Sequence, residues 1–384
     1  MKLQDVYIIQ TASFLPNEKI SNDEMEEYLG LINQNASRSK AIVLRSNGIE
    51  SRYYAIDKNQ KPTHSNACMA ALSIQKLFKN SNIREQDIDL LSCGTSSPDQ
   101  FLPSHASMVH GFLPDTKALE INSPSGACCS GMQAFKYAFL SLKTGSISKA
   151  ICSGSERASR LICSEQFEAE AKKIEALEQN GYLAFEKDFL RWMLSDGAGS
   201  FLMTTNKELS PNNVSLKVEW IEGYSFAHQV ETCMYHGCDK KENGEIISYK
   251  DQSQKENIEN SVFSIKQDTK LLSENIISLG FKKLPNLLKE KGIGAEDIDY
   301  FLPHISSYFF YNKLADSFKE NGIFIPEEKW FTNLKDVGNI GSASIYIMVD
   351  NLFKSQNLKK GEKILLAVPE SARFSYMFAL LTVV

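Results

Sequence analysis

The sequence predicts an α/β fold in which one structural unit is used twice, and three observations lead there. Short apolar runs ending in turn-forming residues alternate with helix-patterned stretches along the chain, as expected for buried sheets covered by helices. The segment LFKNSNIREQDID at residues 77–89 returns as LLKEKGIGAEDID at residues 287–299, an offset of 210, and self-similarity at a long period marks a repeated unit. The same offset carries Cys129 onto Asn339, and each opens a run of small residues, CSGMQAF and NIGSASI.

In the first half, residues 6–13 read as a strand and 21–31 as a polar helix with Ser21 as N-cap. Residues 65–80 have apolar side chains at helical spacing, 88–93 and 118–121 read as strands, and 130–142 as an apolar helix. Strands over 150–154 and 200–204 close this half. The second half repeats the order: a strand at 214–220, a helix at 268–290, a strand at 300–302, an apolar helix at 342–353, and strands at 363–368 and 376–383. Two stretches break the symmetry. Residues 163–191 are charged and helical in pattern, read either as a cap over a substrate tunnel or as a solvated surface helix; residues 240–260 are polar and read as solvated. The expected division is residues 1–207, with the cysteine and the insertion, and residues 208–384, with a histidine and an asparagine discussed below.

A chain of 384 residues suits two such units. Net charge is −5 and there is no long basic block, which excludes nucleic acid as an expected partner. No apolar run approaches the ~20 residues that a membrane span requires. The N-terminal apolar run reads as a first strand and not as an export signal, so a cytoplasmic location is expected. The 8 cysteines are scattered through apolar segments of a large chain, unlike a disulfide framework. Cys233 and Cys238 flank His236, but no second ligand pair follows at suitable spacing, so neither a metal nor another cofactor is expected.

The chemistry concentrates at three places. Cys129 stands directly before a predicted helix, where the positive end of the helix dipole and free backbone N–H groups would favour the nucleophilic thiolate. Taken alone, it reads equally as a buried cysteine at a tight turn. His304 lies just past a predicted strand, at the place occupied by Gly94 in the first copy, and ligands in α/β sheets gather at such strand ends. Asn339 alone reads as an N-cap. Three such residues on repeat-matched loops argue together for a site where the halves meet.

On these segments the chain resembles the ketosynthase III group of the thiolase superfamily, through nearly its whole length. Cys129-Ser130-Gly131 is similar to the group's nucleophile motif, Pro303-His304 to its Pro-His, and Gly338-Asn339 to its Gly-Asn. Ser195-Asp196-Gly197-Ala198-Gly199 resembles its Gly-Asp-Gly-Ala-Gly turn, and Asn47-Gly48-Ile49 with Arg52 its Thr-Gly-Ile-x-x-Arg. The resemblance implies a five-layered αβαβα fold of two similar halves and a homodimer. It implies an acyl-cysteine on Cys129, an oxyanion held by backbone N–H groups of Cys129 and of the loop around Ala372, and an enolate stabilised by His304 and Asn339. Adjacent Cys128 competes as nucleophile, but the motif spacing and the offset to Asn339 favour Cys129.

The chain also departs from that pattern. Phe309 stands where an arginine would help grip coenzyme A, Ala41 falls where a stacking tryptophan is found, and PESARFSY at 369–376 replaces a glycine-rich loop. These departures resemble the subgroup that makes dialkylresorcinols and cyclohexanediones, in which Glu156 would serve as a base for cyclisation; alone, it reads as a structural carboxylate at a strand end. The expected substrates are acyl and β-ketoacyl thioesters on acyl carrier protein or coenzyme A. Rival expectations are an ordinary chain-initiating ketosynthase using malonyl carrier protein, an acyltransferase acting on oxygen or nitrogen, and a catalytically silent partner of a ketosynthase heterodimer.

Overall fold

In the computed structural model, residues 3–384 are described apart from 33, 35, 38, 80, 168–188, 212 and 356. Nine strands form one mixed sheet: β1 (Tyr7–Phe14), β2 (Leu90–Gly94), β3 (Glu120–Asn122), β4 (Lys149–Glu156), β5 (Gly197–Thr204), β6 (Leu216–Ser225), β7 (Tyr300–Pro303), β8 (Lys363–Glu370) and β9 (Ser375–Val383). Their spatial order is β7-β8-β9-β6-β1-β5-β4-β2-β3. The pairing pattern occurs twice. In the first half β2 runs parallel to β4, β4 antiparallel to β5 and β5 antiparallel to β1. In the second half β7 runs parallel to β8, β8 antiparallel to β9 and β9 antiparallel to β6. The halves join where β1 meets β6 through Tyr7↔Lys217 and Ile8↔Leu216. Among the described residues, the counterpart of the edge strand β3, which pairs Ile121 with Leu91, is the isolated parallel bridge Phe301↔Trp330.

Side-chain alternation builds the layers, because successive residues of a strand face opposite sides. Five helices matter here: α1 (Asn66–Phe78), α2 (Cys129–Lys143), α3 (Leu284–Glu290), α4 (Phe309–Glu320) and α5 (Ser344–Ser355). Leu302, Leu366, Ala379 and Leu381 of the second half and Leu90, Cys152, Phe201 and Met203 of the first pack in one core with Phe135 and Phe139 of α2 and Ile345 and Val349 of α5. The opposite face of the first half, with Ile9, Leu91 and Ile151, packs on Ala67, Ala70 and Ile74 of α1. The opposite face of the second half, with Phe301, Leu365 and Phe378, packs on Leu287 of α3 and Leu314 and Phe318 of α4. The result is the expected αβαβα stack, with α2 and α5 as its middle layer. Burial of these apolar faces on both sides of each half of the sheet is the main source of stability.

Some local expectations need correction. The helix expected over 268–290 is broken into Thr269–Asn275 and Leu284–Glu290. Gly280 passes so close to Tyr376 that an added Cβ would stand 2.1 Å from its ring, and Pro285 cannot donate inside a continuing helix and instead stands in the first turn of α3. The expected helix at 21–31 shrinks to Met25–Leu29, since Ile20 and Ser21 pair with Ser51 and Arg52. Of the 163–191 insertion, residues 168–188 lie outside the described residues. Residues 240–260 include a short hairpin and a helix capped by Ser253.

Candidate active site

A cavity of about 830 Å³, its open mouth included, is walled by residues of both halves. Most of the wall is apolar, with Leu161, Leu190, Met234, Ile276, Phe281 and Phe310 contributing. Ser96, Cys128, Glu156, His304 and Asn339 supply polar groups to the same cavity. An apolar chamber carrying a few converging polar groups suits a hydrophobic substrate with one reactive end.

His304 follows β7, held by its N–H donating to the Ala367 carbonyl at 2.8 Å. Its side chain is buried, and Nε2 has no hydrogen-bond partner among the described residues. Burial pushes its pKa down to about 4, so the ring is neutral at physiological pH and, in its Nε2–H tautomer, can donate one hydrogen bond. Asn339 accepts from the Gly341 N–H through Oδ1 at 3.0 Å, which leaves its Nδ2 as the donor end of the amide.

The backbone around Asn339 is fixed by the other motif segments. Its N–H donates to Met193 O, its carbonyl accepts from Ser195 N–H, and Ser195 Oγ accepts from Tyr53 N–H at 2.9 Å. Asp196 accepts from the Ala55 and Ser159 N–H groups, and burial raises its pKa to about 6. Asn47 donates to Trp192 O and accepts from Ile49 N–H. The segments at 47–52, 195–199 and 338–339 therefore form one scaffold behind the cavity.

Cys129 opens α2 as expected, but its thiol is not poised as a thiolate. The residue is fully buried, and Sγ donates to the Val368 carbonyl at 3.3 Å. Burial pushes its pKa well up and the neighbouring Glu370 carboxylate adds to the shift, which outweighs the helix terminus. Cys128 is the sulfur that lines the cavity, and its thiol is also pushed up by burial, then by Glu370 and Glu156. Glu156 is buried and accepts from five donor groups: the hydroxyls of Thr95, Ser96 and Ser97 and the N–H groups of Ser96 and Ser342. Ala372 presents its carbonyl to the Cys233 and Met234 N–H groups. Phe309 is exposed, with the Lys313 ammonium 4.3 Å from its ring centre.

Glu370 is the residue that the sequence reading missed. One oxygen, Oε2, accepts from both the Ala127 N–H at 3.1 Å and the Cys129 N–H at 3.0 Å. Burial raises its pKa and these two bonds partly offset the rise. A signal was present: β4 and β8 are repeat-related strands of eight residues that both end in glutamate.

Residues 288–369 match the family described as 3-oxoacyl-[acyl-carrier-protein] synthase III C terminal. The β-ketoacyl-[acyl-carrier-protein] synthase III of Clostridium perfringens is 25% identical over 370 residues, covering 95% of each chain. The chain is similar to ketosynthase III enzymes over nearly its whole length. Solved structures show the same fold at lower identity. A variant of OleA from Xanthomonas campestris superposes with a TM-score of 0.74 at 21% identity, covering 100% of this chain and 99% of that one. The tetronic acid condensing enzyme AbyA1 superposes at 0.73 with 17% identity, covering 98% and 99%. Glu370 is the last residue of β8, where the segment PESARFSY at 369–376 begins to turn towards β9.

Proposed function

We propose that this ketosynthase III-type condensing enzyme joins two acyl thioesters and then cyclises the product to a cyclohexanedione or dialkylresorcinol. The observation that carries the condensation is the buried His304 Nε2, without a hydrogen-bond partner among the described residues, in the wall of a largely apolar cavity that Asn339 also lines. In the first step the Cys129 sulfur bonds to the thioester carbonyl carbon. The carrier thiolate leaves and takes up the proton that the cysteine gave up. A second thioester then places its carbonyl oxygen between His304 Nε2–H and Asn339 Nδ2–H. These donors stabilise the enolate formed by loss of carbon dioxide or by transfer of an α-proton to the Glu156 carboxylate in the same wall. The enolate carbon bonds to the acyl carbonyl carbon and the Cys129 thiolate departs. Glu156, in the same cavity wall, is assigned the base role in cyclisation. The substrates are carried on acyl carrier protein or coenzyme A. The chain acts in the cytoplasm as a homodimer, a reading supported by the exposed Ile121 of the edge strand β3 and by the exposed Tyr137 and Leu140 of α2, where the Tyr137 hydroxyl donates to Glu120 of β3.

A second reading is favoured by a different observation. The Cys129 N–H is occupied by Glu370 and its thiol is fully buried, as suits a silent partner subunit of a ketosynthase heterodimer. Peptide mass spectrometry after incubation with acyl and β-ketoacyl thioesters, with extraction of released product, separates the two. Acyl mass on the Cys129 peptide with a cyclic product supports the first reading. Acyl mass with a linear β-ketoacyl product leaves an ordinary ketosynthase, and no acyl mass with any donor points to the silent partner.

A further inference from the structure

We propose that the Ala127 and Cys129 N–H groups form the oxyanion hole of this chain, and that Glu370 is a positioning residue that fills it until a thioester carbonyl oxygen takes its place. This rests on the condensing-enzyme reading and deepens it. Two backbone N–H groups that converge on a single oxygen at the start of a long helix are the arrangement that holds a developing oxyanion. Here the converging groups are Ala127 and Cys129, the oxygen is Glu370 Oε2, and the helix is the fifteen-residue α2. Ala127 itself lines the cavity, as do Pro369 and Ser371 on either side of Glu370. The buried His304 Nε2, without a partner among the described residues, belongs to a residue lining the same cavity and independently marks it as a place for an acceptor oxygen.

A carboxylate is a stronger acceptor than a thioester carbonyl, because charge-assisted hydrogen bonds are roughly twice as strong as neutral ones. Glu370 therefore competes with substrate for the hole, and its charge also disfavours the Cys128 and Cys129 thiolates. Acylation needs both the hole and the thiolate, whereas alkylation by iodoacetamide needs the thiolate alone. The ratio of the two rates isolates the hole.

The test compares wild type, Glu370→Ala and the isosteric Glu370→Gln, using iodoacetamide and an octanoyl N-acetylcysteamine thioester, with peptide mass spectrometry on the 127–143 segment and thermal melting to verify folding. The expected result is that Glu370→Ala raises acylation at least about tenfold more than it raises alkylation. Glu370→Gln raises it by a smaller factor of about three in the same ratio, because a neutral amide oxygen holds the two N–H groups less tightly. If Glu370→Ala does not fold, the Glu370→Gln ratio decides alone. Equal rises in both rates would show that Glu370 acts by charge only and would overturn the proposal. So would acylation that falls in the variants while alkylation proceeds. Acylation of wild type without improvement in the variants defeats this proposal and leaves the condensing reading standing. No acylation in any of the three proteins, with normal alkylation, defeats both.

Discussion

Glu156 and Glu370 end the two repeat-related strands β4 and β8, and each accepts a backbone N–H from the start of the opposite half's central helix segment. Glu156 takes the Ser342 N–H at 3.1 Å, in the turn that opens α5, and Glu370 takes the Cys129 N–H at 3.0 Å, at the start of α2. The halves are thus cross-capped, each supplying the anion that the other's helix terminus attracts. One cap serves a cluster of serines and the other meets the proposed nucleophile.

For Glu156, the cap and the base role predict different outcomes in one variant. Glu156→Gln keeps the shape but loses charge, and is expected to lower stability by about 1–3 kcal/mol through weakened bonds to Ser96, Ser97 and Ser342. Released product shifts from cyclic to linear while acyl transfer to cysteine persists. Chromatography with mass detection of extracted product checks this, and an unchanged cyclic fraction sinks the base role.

For the nucleophile, Cys129→Ala is expected to reduce acyl-enzyme formation by more than about 10³-fold, while Cys128→Ala retains it. Fragment-ion mass spectrometry resolves the two adjacent positions. Acyl mass on Cys128 would move the nucleophile to the sulfur that lines the cavity.

For the enolate donors, His304→Ala and Asn339→Ala are each expected to lower condensation by about 10²–10³-fold and to leave acylation of the cysteine near its wild-type rate. Single-turnover measurements of the two steps check the split. Equal loss of both steps would argue for collapse of the scaffold instead.

The pH dependence of stability follows from the buried histidine. His304 has its folded pKa lowered from 6.5 to about 4, so between those values the unfolded chain binds more protons than the native one. This contribution is fully present above pH 6.5 and is lost as pH falls towards 4. His105, also lowered to about 4, acts in the same direction, and Asp196, raised to about 6, acts against them. Subtraction of a His304→Asn variant isolates one group. The wild type is expected to lose about 3 kcal/mol more than the variant between pH 7 and pH 4, measured by denaturant unfolding. Parallel curves would contradict the assignment.

For the cavity, Ile277 lines the wall and is only partly buried. Ile277→Trp is expected to fill space meant for substrate and to shorten the preferred acyl chain. At about 0.8 kcal/mol per buried CH₂, exclusion of four methylenes would cost about 10²-fold in kcat/KM for the longest substrates. Competition between acyl thioesters of graded length reads the change directly.

Much of the architecture is legible in the sequence because strand-length apolar runs and the 210-residue offset constrain it twice. The match of Leu77–Asp89 with Leu287–Asp299 foretells equivalent strands after both segments, and β2 and β7 begin at Leu90 and Tyr300 with that same spacing. The presence of His304 and Asn339 in one cavity follows from the same offset. Glu370 was hidden because the offset does not hold to the end of the chain. Four extra residues before β8 set Glu156 and Glu370 at a spacing of 214. The raised thiol pKa was hidden as well, because a helix terminus is visible in sequence whereas the depth of burial and a carboxylate from the other half are not. The helix break near Gly280 depends on Tyr376, almost a hundred residues away.

The repeat-related positions Gly94 and His304 differ in more than residue type. A Cβ at Gly94 would stand 2.2 Å from the Ser130 carbonyl oxygen, so the backbone of α2 already occupies the space into which a side chain would grow. His304 has that space and fills it with an imidazole. In evolutionary terms, a gene duplication that produced two identical halves would have offered two equivalent catalytic berths. Closure of α2 over the first of them leaves, on the proposed role of His304, the second as the berth that a side chain can fill, and recombination that exchanged the two strand ends would abolish it.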